Sequence, residues 1–249
     1  MMIFDEEKIE SLIARRRLND ASAELVLARA DRRLQAAVAA VAGDERALAK
    51  LISPALLSCR SAAEIAAYYA LAGLEPSAYD QLVAGAVLAW SNDAVGTLVV
   101  LRAACDRALA QHRFHAAVAA RERLAHHALL FGEVAAAREA IAGAIELAGA
   151  HRLSAWQLRA LATAARLSLD AGDLEGAGQL IARGTAASKS HEERALFAPA
   201  GAQLGVELGD DAAVRGWSSA EIVDVALQSQ EPDASHGATI AVLIAAGAA

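Results

Sequence analysis

The chain is poor in the residues that build sheets and break helices. Aromatics make up 4% of its 249 residues, and there are four prolines. That scarcity argues against a β-sandwich or barrel, whose strands draw on aromatic and β-branched side chains. Lysine is rare as well: Lys8, Lys50 and Lys189 are the only three, which reads as genome bias and not as mechanism. Cys59 and Cys105 are isolated thiols without metal-ligand spacing, and the cytoplasm of a bacterium, the expected setting, would keep them reduced. No run of eighteen apolar residues lacks a charge, so no membrane-spanning helix is expected. The acidic start Asp5-Glu6-Glu7 does not suit a secretory signal. Phosphate-loop, dinucleotide and Gly-x-Ser-x-Gly patterns are missing, so neither enzyme activity nor a cofactor is expected.

What the chain does have is alanine. The hydrophobic content is 56% and the mean hydropathy +0.31, mostly from this best of helix formers, which adds little hydrophobic drive per residue. The net charge of −7 is uneven. Residues 1–60 carry ten basic and nine acidic groups, whereas residues 131–249 carry eight and fifteen. An acidic half repels phosphate backbones, so that half is not expected to bind nucleic acid.

Three Gly-acid pairs, Gly132-Glu133, Gly172-Asp173 and Gly209-Asp210, each follow a long apolar helical run and open another. Their spacings of 40 and 37 residues fall in the range of stacked helical hairpins. Ser61-x-x-Glu64, Ser154-x-x-Gln157, Ser190-x-x-Glu193 and Ser218-x-x-Glu221 fit the capping box, in which side chains satisfy the free N–H groups of a helix start. Between these marks the apolar period is helical: Val134, Ala137, Ile141, Ala144 and Ala148 share one face, as do Leu158, Leu161, Ala165 and Leu169. The pattern predicts helices over 5–18, 21–41, 62–71, 77–90, 94–110, 114–130, 133–147, 155–171, 174–187, 191–208 and 219–227. A short helix should end at Ser53 before Pro54, and Pro199 should kink the 191–208 helix. The irregular stretch 43–59 suggests a division into an N-terminal helical pair (1–53), a helical array (60–230) and a tail (231–249).

The hairpin unit resembles the tetratricopeptide family, whose inter-helix turn carries Gly-acid and whose second helix has Ala, three residues, then a bulky apolar residue. Gly132 is followed by Ala137-x3-Ile141 and Ala144, and Gly172 by Ala177-x3-Ile181. The likeness covers two good units, roughly 114–187. The first-helix signature departs, with Arg121-x2-Leu124-Ala125-x2-Ala128 in place of the aromatic pattern, and the terminal Pro is missing. The resemblance implies an all-α fold of stacked antiparallel hairpins, an α-solenoid, serving as a non-enzymatic scaffold for another protein. The plainer alternative is an alanine-rich bundle whose Gly-acid pairs only stop helices.

In such a family ligands lie along the first helices of each pair. By that register the partner-binding wall comprises Glu122, Arg123, His126, Arg159, Thr163, Arg166 and Gln203. Independently, Arg152, Arg159 and Arg166 recur every seven residues, as one side of a helix requires. Guanidinium groups suit carboxylates, which points to an acidic peptide or C-terminus; the bland counterpart is pairing with Glu139, Glu146 or Asp170 on a solvated face. His112, His115, His126 and His127 crowd near Glu122, but His-Glu-x-x-His is absent and no metal site is expected. Ser61 to Asp80 has an outline of a helix-turn-helix, yet its second helix carries Asp80 and no Arg or Lys. A helical ligand-sensing domain of a transcription regulator is the alternative function. Neither nucleic acid nor membrane is an expected partner, and self-association is left open.

Overall fold

The computed structural model describes residues 32–42 and 45–217. Among them are thirteen α-helices and no strand. The expected helix 5–18, most of 21–41, the 219–227 helix with its Ser218 cap, and the tail lie outside the described residues. The chain forms two compact units that divide between His151 and Arg152.

In the first unit, α1 (Arg32–Ala42), α2 (Glu45–Leu51), α3 (Pro54–Leu57) and α4 (Ala62–Leu71) precede α5 (Ala78–Trp90), α6 (Ala94–Ala110), α7 (Phe114–Leu130) and α8 (Val134–Ala150). From α5 to α8 each helix packs on the one before it. The joint between each pair is only three residues, so neighbours are antiparallel. Alanine permits the close seam: Ala116 through Ala120 on α7 leave almost no side-chain surface exposed around Val118, and Ala137, Ala144 and Ala148 of α8 are buried likewise. The expected division at 43–59 does not separate α1 from the array, because α1 packs on α5 and α7. Its residues Leu34 and Ala36 to Val41 are all buried, so this helix needs neighbours on most of its circumference.

The joints explain the Gly-acid pairs. Gly132 (φ +80°) and Gly172 (φ +75°) are left-handed, as is Gly209 (φ +66°), a conformation glycine takes without steric cost. Gly132 N–H donates to Leu129 O at 2.9 Å and Glu133 N–H to Ala128 O at 2.7 Å, the paired bonds of a Schellman ending. At two of the three the acid then caps the following helix: the Asp173 carboxylate accepts from Gly176 N–H at 2.9 Å, and that of Asp210 from Ala213 N–H at 3.0 Å, whereas Glu133 makes no side-chain cap. The joint recurs where the sequence shows no glycine. Asn92 (φ 60°), His112 (φ 57°) and Arg152 (φ 56°) are also left-handed. With Gly132 and Gly172 they stand at 92, 112, 132, 152 and 172, one every 20 residues.

Caps and breakers depart from expectation in places. Ser61 and Ser190 cap α4 and the short α11 (His191–Ala195), but Glu64 and Glu193 accept from Arg60 N–H and Lys189 N–H, one residue early. Ser154 does not cap; it is the first residue of α9 (Ser154–Asp170), whose start has no side-chain cap. A complete capping box occurs instead at Ser77 and Asp80. Ser53 caps α3, with Pro54 opening that helix rather than merely stopping the last.

In the second unit, α9 packs on α10 (Leu174–Ala187), and both touch α12 (Ala198–Leu208), which pairs with α13 (Asp211–Trp217). Pro199 breaks the expected 191–208 helix outright. It sits in the first turn of α12, and the helical bonding stops at Leu196 and Phe197, because a proline has no N–H to bond the Ala195 carbonyl four residues back and its ring crowds that carbonyl. Phe197 is fully buried with its ring against Gly184 of α10.

Candidate functional site

The expected wall residues lie on three helices. Glu122, Arg123 and His126 are on α7, Arg159, Thr163 and Arg166 on α9, and Gln203 on α12. Their exposures differ. Glu122 (6%) and Arg159 (7%) are buried, so they belong to the interior rather than to an open face. Arg123, His126, Thr163, Arg166 and Gln203 are half-buried. Arg152 lies ahead of α9 in a left-handed joint, so the seven-residue arginine line keeps only Arg159 and Arg166 on one helix. The Arg159 guanidinium sits 5.7 Å from the centroid of the Trp156 ring, and neither Arg159 nor Arg166 is free of partners within the chain.

On the first unit Arg123 is enclosed by the chain itself. Arg123 and His127 line a void of about 20 Å³ together with Ala39 and Ala40 of α1, Leu48 of α2 and Leu82 of α5. Arg123 Nη2 is buried there without a hydrogen-bond partner. The physical reason is the apolar surface of α1, which the periodicity of the later hairpins does not reveal.

His126 and His127 lie edge-on to each other (centroids 5.2 Å). His112 lies edge-on to Phe114 (centroids 6.0 Å), and Phe114 stacks on His151 (3.4 Å, planes 16° apart), tying the start of α7 to the end of α8. Among the described residues no three His, Cys, Asp or Glu side chains converge as a metal ion would need. Cys59 and Cys105 are free and buried, and burial pushes the Cys59 thiol up. The helix-turn-helix outline meets a plain obstacle: α5, its second helix, is buried from Ala78 to Gly85 except at Gln81 and is packed on α1, α4 and α6. No described helix is long and apolar enough to cross a membrane.

A polar centre that the sequence reading missed joins α1 to α5. Arg33 donates to Asp80 from Nε (3.0 Å) and Nη2 (2.6 Å), and Asp80 Oδ2 also accepts from Ser77 N–H (2.9 Å) and Ser77 Oγ–H (2.7 Å). Tyr69 Oη donates to the Asp80 carbonyl at 3.3 Å. Burial, reinforced by the Asp80 carboxylate, holds the Tyr69 hydroxyl well above its ordinary value. The bidentate fork neutralises a carboxylate that is almost wholly removed from water, which a lone buried charge could not tolerate. The Ser77-x-x-Asp80 spacing was the available signal, since Asp at that place serves a cap as Glu does. Its partner Arg33, 47 residues away, left no local trace.

In comparisons with protein-family models, curated proteins and solved structures, nothing matches this chain.

Proposed function

We propose that this chain is a non-enzymatic interaction module, a tetratricopeptide-like array of helical hairpins that holds another protein by an acidic peptide or C-terminus. The observation that carries the proposal is the cadence of the joints. Left-handed residues recur every 20 positions from Asn92 to Gly172, and helices of 17 residues fill the intervals from α6 to α9. A chain built on one repeated supersecondary unit presents side chains at regular intervals, which suits an extended partner. Because Glu122 is buried and Arg123 is enclosed by α1 and α2, we place the partner site on the half-buried polar residues of the second unit, Thr163 and Arg166 on α9 and Gln203 on α12. The setting is the cytoplasm, where Cys59 and Cys105 stay reduced.

The test is affinity purification of the tagged chain from its native organism, beside Arg166→Glu. Capture of a protein partner should fall sharply for the variant while far-UV circular dichroism is unchanged, and capture by the parent should weaken as salt rises. Undiminished capture by Arg166→Glu at moderate salt would refute this placement of the surface.

A further inference from the structure

We propose that the cleft between α1, α4 and α5 is a binding site for a small apolar monocarboxylate. This stands apart from the partner-binding reading and uses none of its residues. The cleft has a volume of about 260 Å³. A buried apolar cavity of about 150 Å³ already accepts benzene, so a chain of roughly six carbons fits. Its apolar wall includes Ala37, Leu56, Leu74 and Val83, drawn from α1, α3, the α4–α5 loop and α5.

The polar lining selects the head group. Asp80 is the acid in the lining, and it is occupied by the Arg33 fork and by Ser77. It therefore offers little to a cation. Two hydroxyls, Ser53 Oγ and Tyr68 Oη, lie 3.1 Å apart, and Ser53 Oγ also accepts from Leu56 N–H at 3.2 Å. Whichever hydroxyl donates to the other, one O–H hydrogen of the pair is left over at the wall, because each carries a single donor. Exposed Arg32 also lines the cleft. Among the described residues its guanidinium meets a neutral acceptor, the Lys50 carbonyl, from Nη2 at 3.0 Å. A spare hydroxyl donor and a cation uncompensated by any described acid, set over apolar walls, are the complement of a carboxylate on a short hydrocarbon tail. A planar guanidinium also matches a planar carboxylate.

The experiment is calorimetric titration of the full chain with hexanoate, 1-hexanol and hexylamine in parallel. Hexanoate should bind saturably, with a dissociation constant of about 1 mM or below, and more tightly than the alcohol or the amine. Arg32→Gln, at an exposed site where folding is not at stake, should weaken hexanoate about tenfold and leave hexanol unchanged. Tyr68→Phe should weaken hexanoate roughly two- to tenfold. The proposal is overturned by no saturable hexanoate binding up to about 10 mM, by equal binding of hexanol or hexylamine, or by an Arg32→Gln variant that binds hexanoate like the parent.

Discussion

Two glycines of α10 should respond to the same substitution with opposite signs. A Cβ placed on Gly184 would overlap Cζ, Cε1 and Cε2 of Phe197, the farthest of the three at 2.7 Å. Phe197 is fully buried, so the ring has no free volume into which to retreat. A Cβ on Gly178 would meet only Leu204 Cδ2 at 3.6 Å, an ordinary contact. In a helix interior Gly→Ala by itself gains about 0.8–1 kcal/mol. At Gly178 that gain stands. At Gly184 it is opposed by overpacking of about 1–3 kcal/mol, at the upper end here because three ring atoms are involved. Gly184→Ala should therefore destabilise by about 1–2 kcal/mol net, and Gly178→Ala should stabilise by up to about 1 kcal/mol. Urea denaturation followed by circular dichroism reads both. Trimming the ring supplies the internal check. The double variant Gly184→Ala/Phe197→Leu should be less destabilised than the sum of its singles, by about 1 kcal/mol of coupling. If Gly184→Ala raises the midpoint as Gly178→Ala does, the ring is not seated on that glycine and the packing of α10 on the α11–α12 break is misjudged.

Two further outcomes concern the joints and the polar centre. Replacing left-handed His112 by Gly should stabilise by about 0.5–1 kcal/mol, the strain relieved exceeding the added chain entropy, whereas Gly172→Val should destabilise by more than about 1 kcal/mol; equal thermal midpoints for the pair would contradict the joint geometry. Tyr69 has a folded value above its unfolded value of about 10, so its contribution is whole below pH 10 and declines as pH rises above it, when only the unfolded chain releases the proton. The fall in urea midpoint above about pH 10 should thus be shallower in Tyr69→Phe, and an unchanged slope would argue that Tyr69 is not sealed from solvent.

The helices were largely legible because alanine-rich 17-residue runs end at strong punctuation. The expected spans for α4, α6, α7 and α10 agree with the observed ones. The α8 helix runs on to Ala150 because Gly149 is tolerated inside it and the true joint is at Arg152. The breaks at 91–93 and 111–113 were read in place, but the left-handed backbone at Asn92, His112 and Arg152 was not: at a non-glycine residue it is set by the bonds of the turn and by packing on both sides, not by the residue's own preference. Register placed Glu122 and Arg159 on their helices, but helical phase says only which residues share a face, not what covers it. What encloses Arg123 on α7 includes α1 and α2, whose distance in sequence hides the contact. The Arg33–Asp80 centre escaped for the same reason.

Between α5 and α8 one helix plus one joint reverses the chain, so 20 residues form a unit of direction and 40 restore it. In-frame duplication or loss of a single unit would leave every helix intact yet invert all that follow it in that body, presenting each apolar face to a neighbour running the wrong way. Only changes in steps of two units leave the downstream seams matched. The hereditary grain of this region is therefore coarser than its visible periodicity: natural length variants should differ by about 40 residues, and gene copies offset by about 20 should fail to fold.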